Sequence, residues 1–471
     1  MIDQNQRLSQ IAIWVSRWYW LLLVVAAPFL LFPSVTSPLP MLIVPGVWIV
    51  GARMHRNLLL RTPLNLSLLL LALMALISLF VTDDIGFSLS KIAGLVLGFG
   101  VFFAFAREGR QARGWWLCLV VFGATGLGMS ALALATTAWS NKLEFLSPLM
   151  TRTPYLLGLS GAEKGTSPNE LAGLVVWIIP VFLAICLCMF SESTRWRQGL
   201  GVRRFFAGLT MSLAMTAFLV CILLLTQSRG GYLGCGVAAV MLVFAFLSRR
   251  GRFIFALSLM LVLLIGIEDM RLRGEDPVNV FMDGSSMPFS AEAVNSWELR
   301  ARIWSGAISA IQDYPWTGLG MNNFRRVFRL YDPNYFSSRD VDISHAHNEF
   351  LQAALDLGVP GLVAFIALYF GAAIMLGAIW ARVGTMMPNC FSVCAVVLGL
   401  GAGLFAHLMY GMTDAVTLWA KPGVLFWMLL GLIAGLYEQM RSGDLIKWSA
   451  WFGPPLSREV PPLPNPEALD D

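Results

Sequence analysis

The run Ser344-His345-Ala346-His347-Asn348-Glu349-Phe350-Leu351-Gln352 holds two of the four histidines in the chain and opens a long apolar stretch. Imidazole is the side chain whose ordinary pKa lies nearest physiological pH, so a pair at the mouth of a hydrophobic helix suits proton transfer. Two positions apart, His345 and His347 cannot share a helix face. A metal site built on them would need further ligands such as Asp342 or Glu349, and clustered carboxylates are missing. Proton transfer is therefore favoured over helix capping or packing, and over a metal.

Guanidinium groups are the second candidate set. Arg229 stands in Thr226-Gln227-Ser228-Arg229-Gly230-Gly231, between two apolar runs with no hydrophilic loop to shelter it. An arginine at the membrane boundary reads as a functional residue, against the alternative of a side chain reaching lipid phosphates. Residues 268–347 add Arg271, Arg273, Arg300, Arg302, Arg325, Arg326, Arg329 and Arg339 and no lysine. Guanidinium binds phosphate oxygens in two-pronged fashion, which suits a phosphate or diphosphate ligand. Since only five of the 33 basic residues in the chain are lysines, position carries more weight than residue type. Lys91, one turn inside an apolar segment, should face an acid such as Asp84 or an anionic ligand. Ser167-Pro168-Asn169-Glu170 reads as a capping box that starts a helix, with Asn169 the member free to do more. His407, inside an apolar run, reads as a hydrogen-bonded core histidine.

The elements that position these residues are membrane helices. Of 471 residues, 57 % are hydrophobic and only 13 % charged, with a mean hydropathy of +0.69, far from a soluble domain. A span needs roughly 20 apolar residues. Apolar runs fall near 18–33, 39–51, 64–82, 88–106, 115–139, 168–190, 205–226, 231–248, 252–267, 361–380, 390–412 and 421–437, about twelve helices in all. The second, with Pro40 and Pro45, could be broken or re-entrant, and the first reads as a retained anchor. Arginines crowd every even-numbered exit, including Arg53, Arg107, Arg204, Arg250, Arg382 and Arg441. Basic residues mark the cytoplasmic side, so both termini are expected there and the odd loops outside.

The expected organisation is a cytoplasmic N-terminus over 1–17, helices 1–9 over 18–267, a large periplasmic loop over 268–347, helices 10–12 over 348–437 and a cytoplasmic tail over 438–471. Arg300 to Tyr314 has an amphipathic pattern that could lie on the membrane surface. The proline-rich end after Gly453 should be disordered. Seven cysteines sit in or beside apolar segments and read as small core residues. No inverted pair of broken helices points to a transporter.

These pieces together resemble the O-antigen ligase and polymerase superfamily. They are Thr226-Gln227-Ser228-Arg229-Gly230-Gly231, Arg302-Ile303-Trp304, Tyr314-Pro315-Trp316-Thr317-Gly318-Leu319-Gly320, His345-Ala346-His347-Asn348-Glu349-Phe350-Leu351-Gln352 and Gly358-Val359-Pro360-Gly361, with Pro168-Asn169-Glu170-Leu171-Ala172 similar too. The resemblance runs from about residue 150 to 435. It implies an all-α polytopic membrane protein of GT-C-like architecture in the inner membrane, its site facing the periplasm. The implied donor is a glycan on undecaprenyl diphosphate and the acceptor a lipid or glycan. Membrane lipids and polysaccharide-assembly proteins are the remaining implied partners, with no nucleic acid.

By the same resemblance Arg229 and Arg302, with Arg300 or Arg273, bind the diphosphate, and His347 orients or deprotonates the acceptor hydroxyl. His345 assists, Asn169 and Lys91 stand by, and the transfer inverts without a metal or other cofactor. A ligase attaches the glycan to a non-carrier acceptor, a polymerase joins two lipid-linked units, and both share these motifs. A long C-terminal helical-repeat domain is missing, which argues against a protein acceptor. Some relatives are labelled inorganic-carbon transporters, a reading that would require paired ionisable residues at mid-membrane.

Overall fold

The computed structural model describes residues 38–53, 60–137, 139, 166–272, 291–331, 343–386, 391–418 and 421–442. Helices account for the regular structure of these residues: α1 Pro38–Arg53, α2 Asn65–Val81, α3 Ile85–Glu108, α4 Ala112–Thr136, α5 Pro168–Ser191, α6 Ser193–Leu200, α7 Val202–Thr226, α8 Arg229–Phe246, α9 Arg249–Leu272, α10 Ala291–Asp313, α11 Phe324–Tyr331, α12 Glu349–Met386, α13 Phe391–Gly411 and α14 Gly423–Arg441. Eight of them, α3, α4, α5, α7, α8, α12, α13 and α14, are long and apolar enough to cross a membrane. The chain is an all-α multi-pass membrane protein. Of the expected spans, the first, 18–33, lies outside the described residues, as does the proline-rich tail. The second is a continuous helix despite Pro45.

Helix α5 lies at the centre. It packs on α13, α7 and α8, while α14 packs on α3 and α12 on α2. Most of α5 is buried, whereas α7 turns most of its surface outward, as expected of an inner and an outer helix in lipid. Small residues permit the closest approaches: a Cβ at Gly435 would lie 2.8 Å from the Cα of Gly109, and Trp115 Nε1 donates to the Leu432 carbonyl at 2.8 Å. This small-residue seam is the usual way apolar helices come close where burial from water cannot drive them together.

Residues 291–331 form a small subassembly over one end of the bundle. Ile303, Ala307 and Ala310 of α10 pack with Leu319, Phe324, Phe328, Ile343, Ala346 and Leu355. The apolar stripe of this helix therefore faces protein, which corrects the expectation that it lies on the membrane surface; only Ile308, 48 % exposed, points away. Amphipathic periodicity records that one face is buried and is silent about what buries it.

Two glycine-bearing motifs lock this subassembly to the bundle. Helix α12 kinks at Gly358, with φ 68° and ψ 178°, just before Pro360. Gly318, with φ 67°, meets it: a Cβ on Gly318 would lie 2.6 Å from Gly358 N, and one on Gly358 would lie 2.6 Å from Trp316 O. Leu319 N donates to Leu355 O and Val359 N to Pro315 O, each at 2.7 Å. The kink thus exposes backbone groups that the 315–319 turn satisfies.

Candidate active site

The histidine motif forms the linker into α12. Asn348 caps the helix, its Oδ1 accepting from Phe350 N and Leu351 N at 3.0 Å each. Ala346 is held from both sides: its N donates to Gln352 Oε1 at 2.8 Å, and its carbonyl accepts from Trp304 Nε1 on α10 at 2.9 Å. Between them His347 adopts φ 48°, a left-handed conformation that costs a non-glycine residue about 1–2 kcal/mol. That turn brings the two imidazoles together with ring centroids 4.3 Å apart. Residues that could not share a helix face converge because they are not on a helix.

They converge on Asp414, in the segment between α13 and α14. His345 Nε2 lies 2.8 Å from Asp414 Oδ1, and His347 Nδ1 lies 3.3 Å from the same oxygen. His345 is engaged at both ring nitrogens, since its Nδ1 is 2.7 Å from Ser344 Oγ. His347 Nδ1 is buried and has no hydrogen-bond partner among the described residues, while the ring as a whole is the more open, 27 % exposed against 15 % for His345. Burial alone would push the Asp414 carboxyl up, yet the neighbouring imidazoles outweigh it and hold the group well below the usual carboxylate range. His345 is pulled down by burial and then by His347, with Asp414 opposing. The first direction favours an ionised carboxylate at Asp414 and the second a neutral ring at His345.

The histidine motif also fixes the segment that carries Asp414. Asn348 Nδ2 donates to Met412 O at 3.1 Å, and Glu349 Oε1 accepts from Thr417 N at 2.5 Å, one contact on each side of the aspartate. The sequence offered Asp342 and Glu349 as companions for the histidines. Asp342 lies outside the described residues, and Glu349 is turned toward Thr417 and toward His407, whose Nδ1 is 3.6 Å from Glu349 Oε2. Asp414 takes the place expected of them. His345, His347 and Asp414 each offer one ligand atom within 4.8 Å of the others, so a metal could be held here.

Around this centre lie the starts of α5 and α8 and the end of α13. Tyr410 donates to the Asn169 carbonyl at 2.6 Å and stands within electrostatic reach of Asp414, Glu349, Arg300 and Glu170. Arg229 and Arg300 feel each other's charge. Lys421 is lowered by burial, with Glu170 opposing. Ser167 is the residue before α5 and Pro168 its first, but the serine side chain makes no capping bond. The expected capping box is thus absent, and Glu170 faces the Lys421 side instead.

The other arginines separate by position. Arg302 is half-buried on α10 and Arg273 lies outside the described residues. Arg326 pairs with Asp84 at 3.2 Å and Asp83 at 3.6 Å, and Arg325 stacks over Phe87 at 5.4 Å. These two tie α11 to the start of α3. Asp84 is therefore not the partner of Lys91, as the sequence suggested; Lys91 Nζ pairs with Asp356 at 3.4 Å, both buried. Asp356 also accepts from Asn322 N at 3.1 Å, so the pair pins the kinked helix and the 320–323 turn to α3. His407 is a core histidine as read, fully buried, 3.2 Å from Tyr369 Oη and stacked on Trp177 at 3.6 Å.

No curated protein matches the chain. A family model described as O-antigen ligase matches residues 213–366, a stretch that contains Arg229, Arg300, Arg302, His345 and His347. This stretch of the chain is thus similar to the O-antigen ligase family, whose members act in polysaccharide assembly.

Proposed function

We propose that the protein transfers a glycan from undecaprenyl diphosphate to an acceptor hydroxyl, as a ligase, at the periplasmic face of the inner membrane. The observation that carries this reading is the sharing of one Asp414 oxygen by His345 and His347, at the bundle end where Arg229 and Arg300 also stand. Asp414 holds His347 with its Nδ1–H toward the carboxylate, which leaves the Nε2 lone pair for the acceptor. The distance of 3.3 Å is long for a hydrogen bond, and such contacts tighten when substrate arrives. His345, already engaged on both sides, keeps Asp414 in place.

In the step itself His347 Nε2 takes the proton of the acceptor hydroxyl, and that oxygen attacks the anomeric carbon. The bond from this carbon to the diphosphate oxygen breaks as the new glycosidic bond forms, so configuration inverts. Undecaprenyl diphosphate leaves with its electron pair, and Arg229 and Arg302, with Arg300 beside them, neutralise the developing charge. The proton on His347 passes to solvent afterwards. No metal takes part.

Polymerisation, with a second lipid-linked unit as acceptor, would use the same groups. A transporter reading draws on the buried pairs Lys91–Asp356 and Glu349–His407. Each of these residues lies within seven positions of a helix end near the histidine cluster, about 10 Å at 1.5 Å per residue, so the pairs do not line a path at mid-membrane. Purified protein in lipid nanodiscs should release undecaprenyl diphosphate from a lipid-linked glycan when acceptor is added. Bicarbonate uptake by vesicles without any such release would overturn the proposal.

A further inference from the structure

We propose that His345, His347 and Asp414 form a binding site for a divalent cation of the zinc class, and that its occupation switches glycan transfer off. The inhibitory part rests on the base assigned to His347 above; the binding part stands on the geometry alone.

Two imidazole nitrogens and one carboxylate oxygen are a donor set that suits zinc and its first-row neighbours and not magnesium, which prefers oxygen ligands. Ligands about 2.0–2.2 Å from a tetrahedral zinc lie about 3.3 Å from one another. The contacts to Asp414 Oδ1 are 2.8 Å from His345 Nε2 and 3.3 Å from His347 Nδ1, near that spacing, and one ligand atom from each of the three residues lies within 4.8 Å of the others. His347 Nδ1 is buried and faces this oxygen at 3.3 Å, too long for a firm hydrogen bond.

The surroundings are those of a built site. Metal-bound imidazoles usually donate their second nitrogen to a neighbouring acceptor, which fixes the ring. His345 Nδ1 has Ser344 Oγ at 2.7 Å for this purpose. Asp414 Oδ1 accepts from Ala415 N at 2.9 Å, and the clamps from Asn348 and Glu349 hold its segment. Three protein ligands and a partly exposed His347 leave a fourth position for water, the arrangement through which an ion enters and leaves.

Occupation has a definite chemical consequence. A cation on Nδ1 of a neutral imidazole leaves the ring proton on Nε2. The nitrogen that should accept the acceptor's proton then carries one of its own. Asp414 also exchanges its hold on both rings for the ion. Donor binding depends on the arginines and should survive, so the occupied protein is charged with donor and unable to transfer.

The test uses full-length protein in nanodiscs, stripped with a chelator. Zinc is titrated in competition with a chromogenic chelator, and transfer of a labelled lipid-linked glycan is followed in parallel with donor binding. The expected result is one zinc per chain, affinity lowered at least tenfold in His345→Ala and in Asp414→Ala, and no competition from magnesium. Transfer by the unmodified chain should fall at least tenfold at saturation and return on chelation, with donor affinity unchanged. Should a variant fold poorly, zinc-dependent protection of His347 from histidine-directed modification in the unmodified chain reads the same site. Unaltered zinc affinity in both variants, or absence of protection, would overturn the site. Zinc that binds here and leaves transfer unchanged or raises it would overturn the switch. Zinc binding at these residues in a protein that shows no transfer with or without metal would leave the site standing and overturn the transferase reading instead.

Discussion

Asp414→Asn replaces one carboxylate oxygen by an amide at nearly constant volume, at a residue 3 % exposed. In the native site Oδ1 accepts from Ala415 N at 2.9 Å and faces both imidazoles. The amide oxygen, held at the Oδ1 position by Ala415 N, still faces both imidazoles, but it is a neutral and weaker acceptor than a carboxylate. His347 then loses the charge that favours its proton on Nδ1 and stabilises the ring as it takes up a second one, which weakens the base without removing the ring. Loss of a general base costs typically about 10²–10⁴ in rate, equivalent to about 3–5 kcal/mol of transition-state stabilisation. The fold should lose less, about 1–3 kcal/mol for a buried polar group left poorly matched. Transfer of a labelled lipid-linked glycan by purified Asp414→Asn should therefore drop at least a hundredfold, with a modest fall in melting temperature and donor affinity retained. A variant that transfers within threefold of the unmodified chain would show that Asp414 does not set the state of His347.

Arg229→Lys should impair donor binding nearly as much as Arg229→Ala, because an ammonium cannot make the two-pronged contact; a fully competent lysine variant would favour a role at the lipid interface. Lys91→Met should destabilise the protein by about 3–5 kcal/mol by stranding the Asp356 charge, and the double change Lys91→Met with Asp356→Leu should recover most of that, read by thermal unfolding in detergent. Equal losses in single and double variants would mean that the pair contributes more than mutual neutralisation. A reporter fused after Arg204 should behave as cytoplasmic and one fused near Asp332 as periplasmic, and the reverse at either point would break the assigned threading.

Local information made much of this legible. Runs of apolar residues marked about twelve spans, of which eight described helices are long and apolar enough to cross a membrane, and the histidine motif drew attention to the candidate site. What escaped was contact between distant segments. Asp414 is 69 residues from His345, and in sequence it is one acid between two apolar runs, mute about its neighbour. Lys91 in an apolar segment calls for an anion, and Asp84 is the acid nearest in sequence, while the partner in the structure is 265 residues away. The stripe on α10 had the right period and the wrong occupant, since periodicity cannot tell lipid from protein. Ser167 fits a capping pattern, yet its side chain makes no capping bond. Gly318 and Gly358 were visible as motifs, yet their mutual approach becomes evident only when the turn and the kink are side by side.

The central claim is that His347 moves the acceptor's proton while the arginines hold the donor. His347→Ala tests it when transfer and donor affinity are measured on the same preparation. The side chain is 27 % exposed and its loss removes little packing, so the folded protein should bind donor as before and transfer at least about a hundredfold more slowly. Undiminished transfer by His347→Ala would contradict the mechanism.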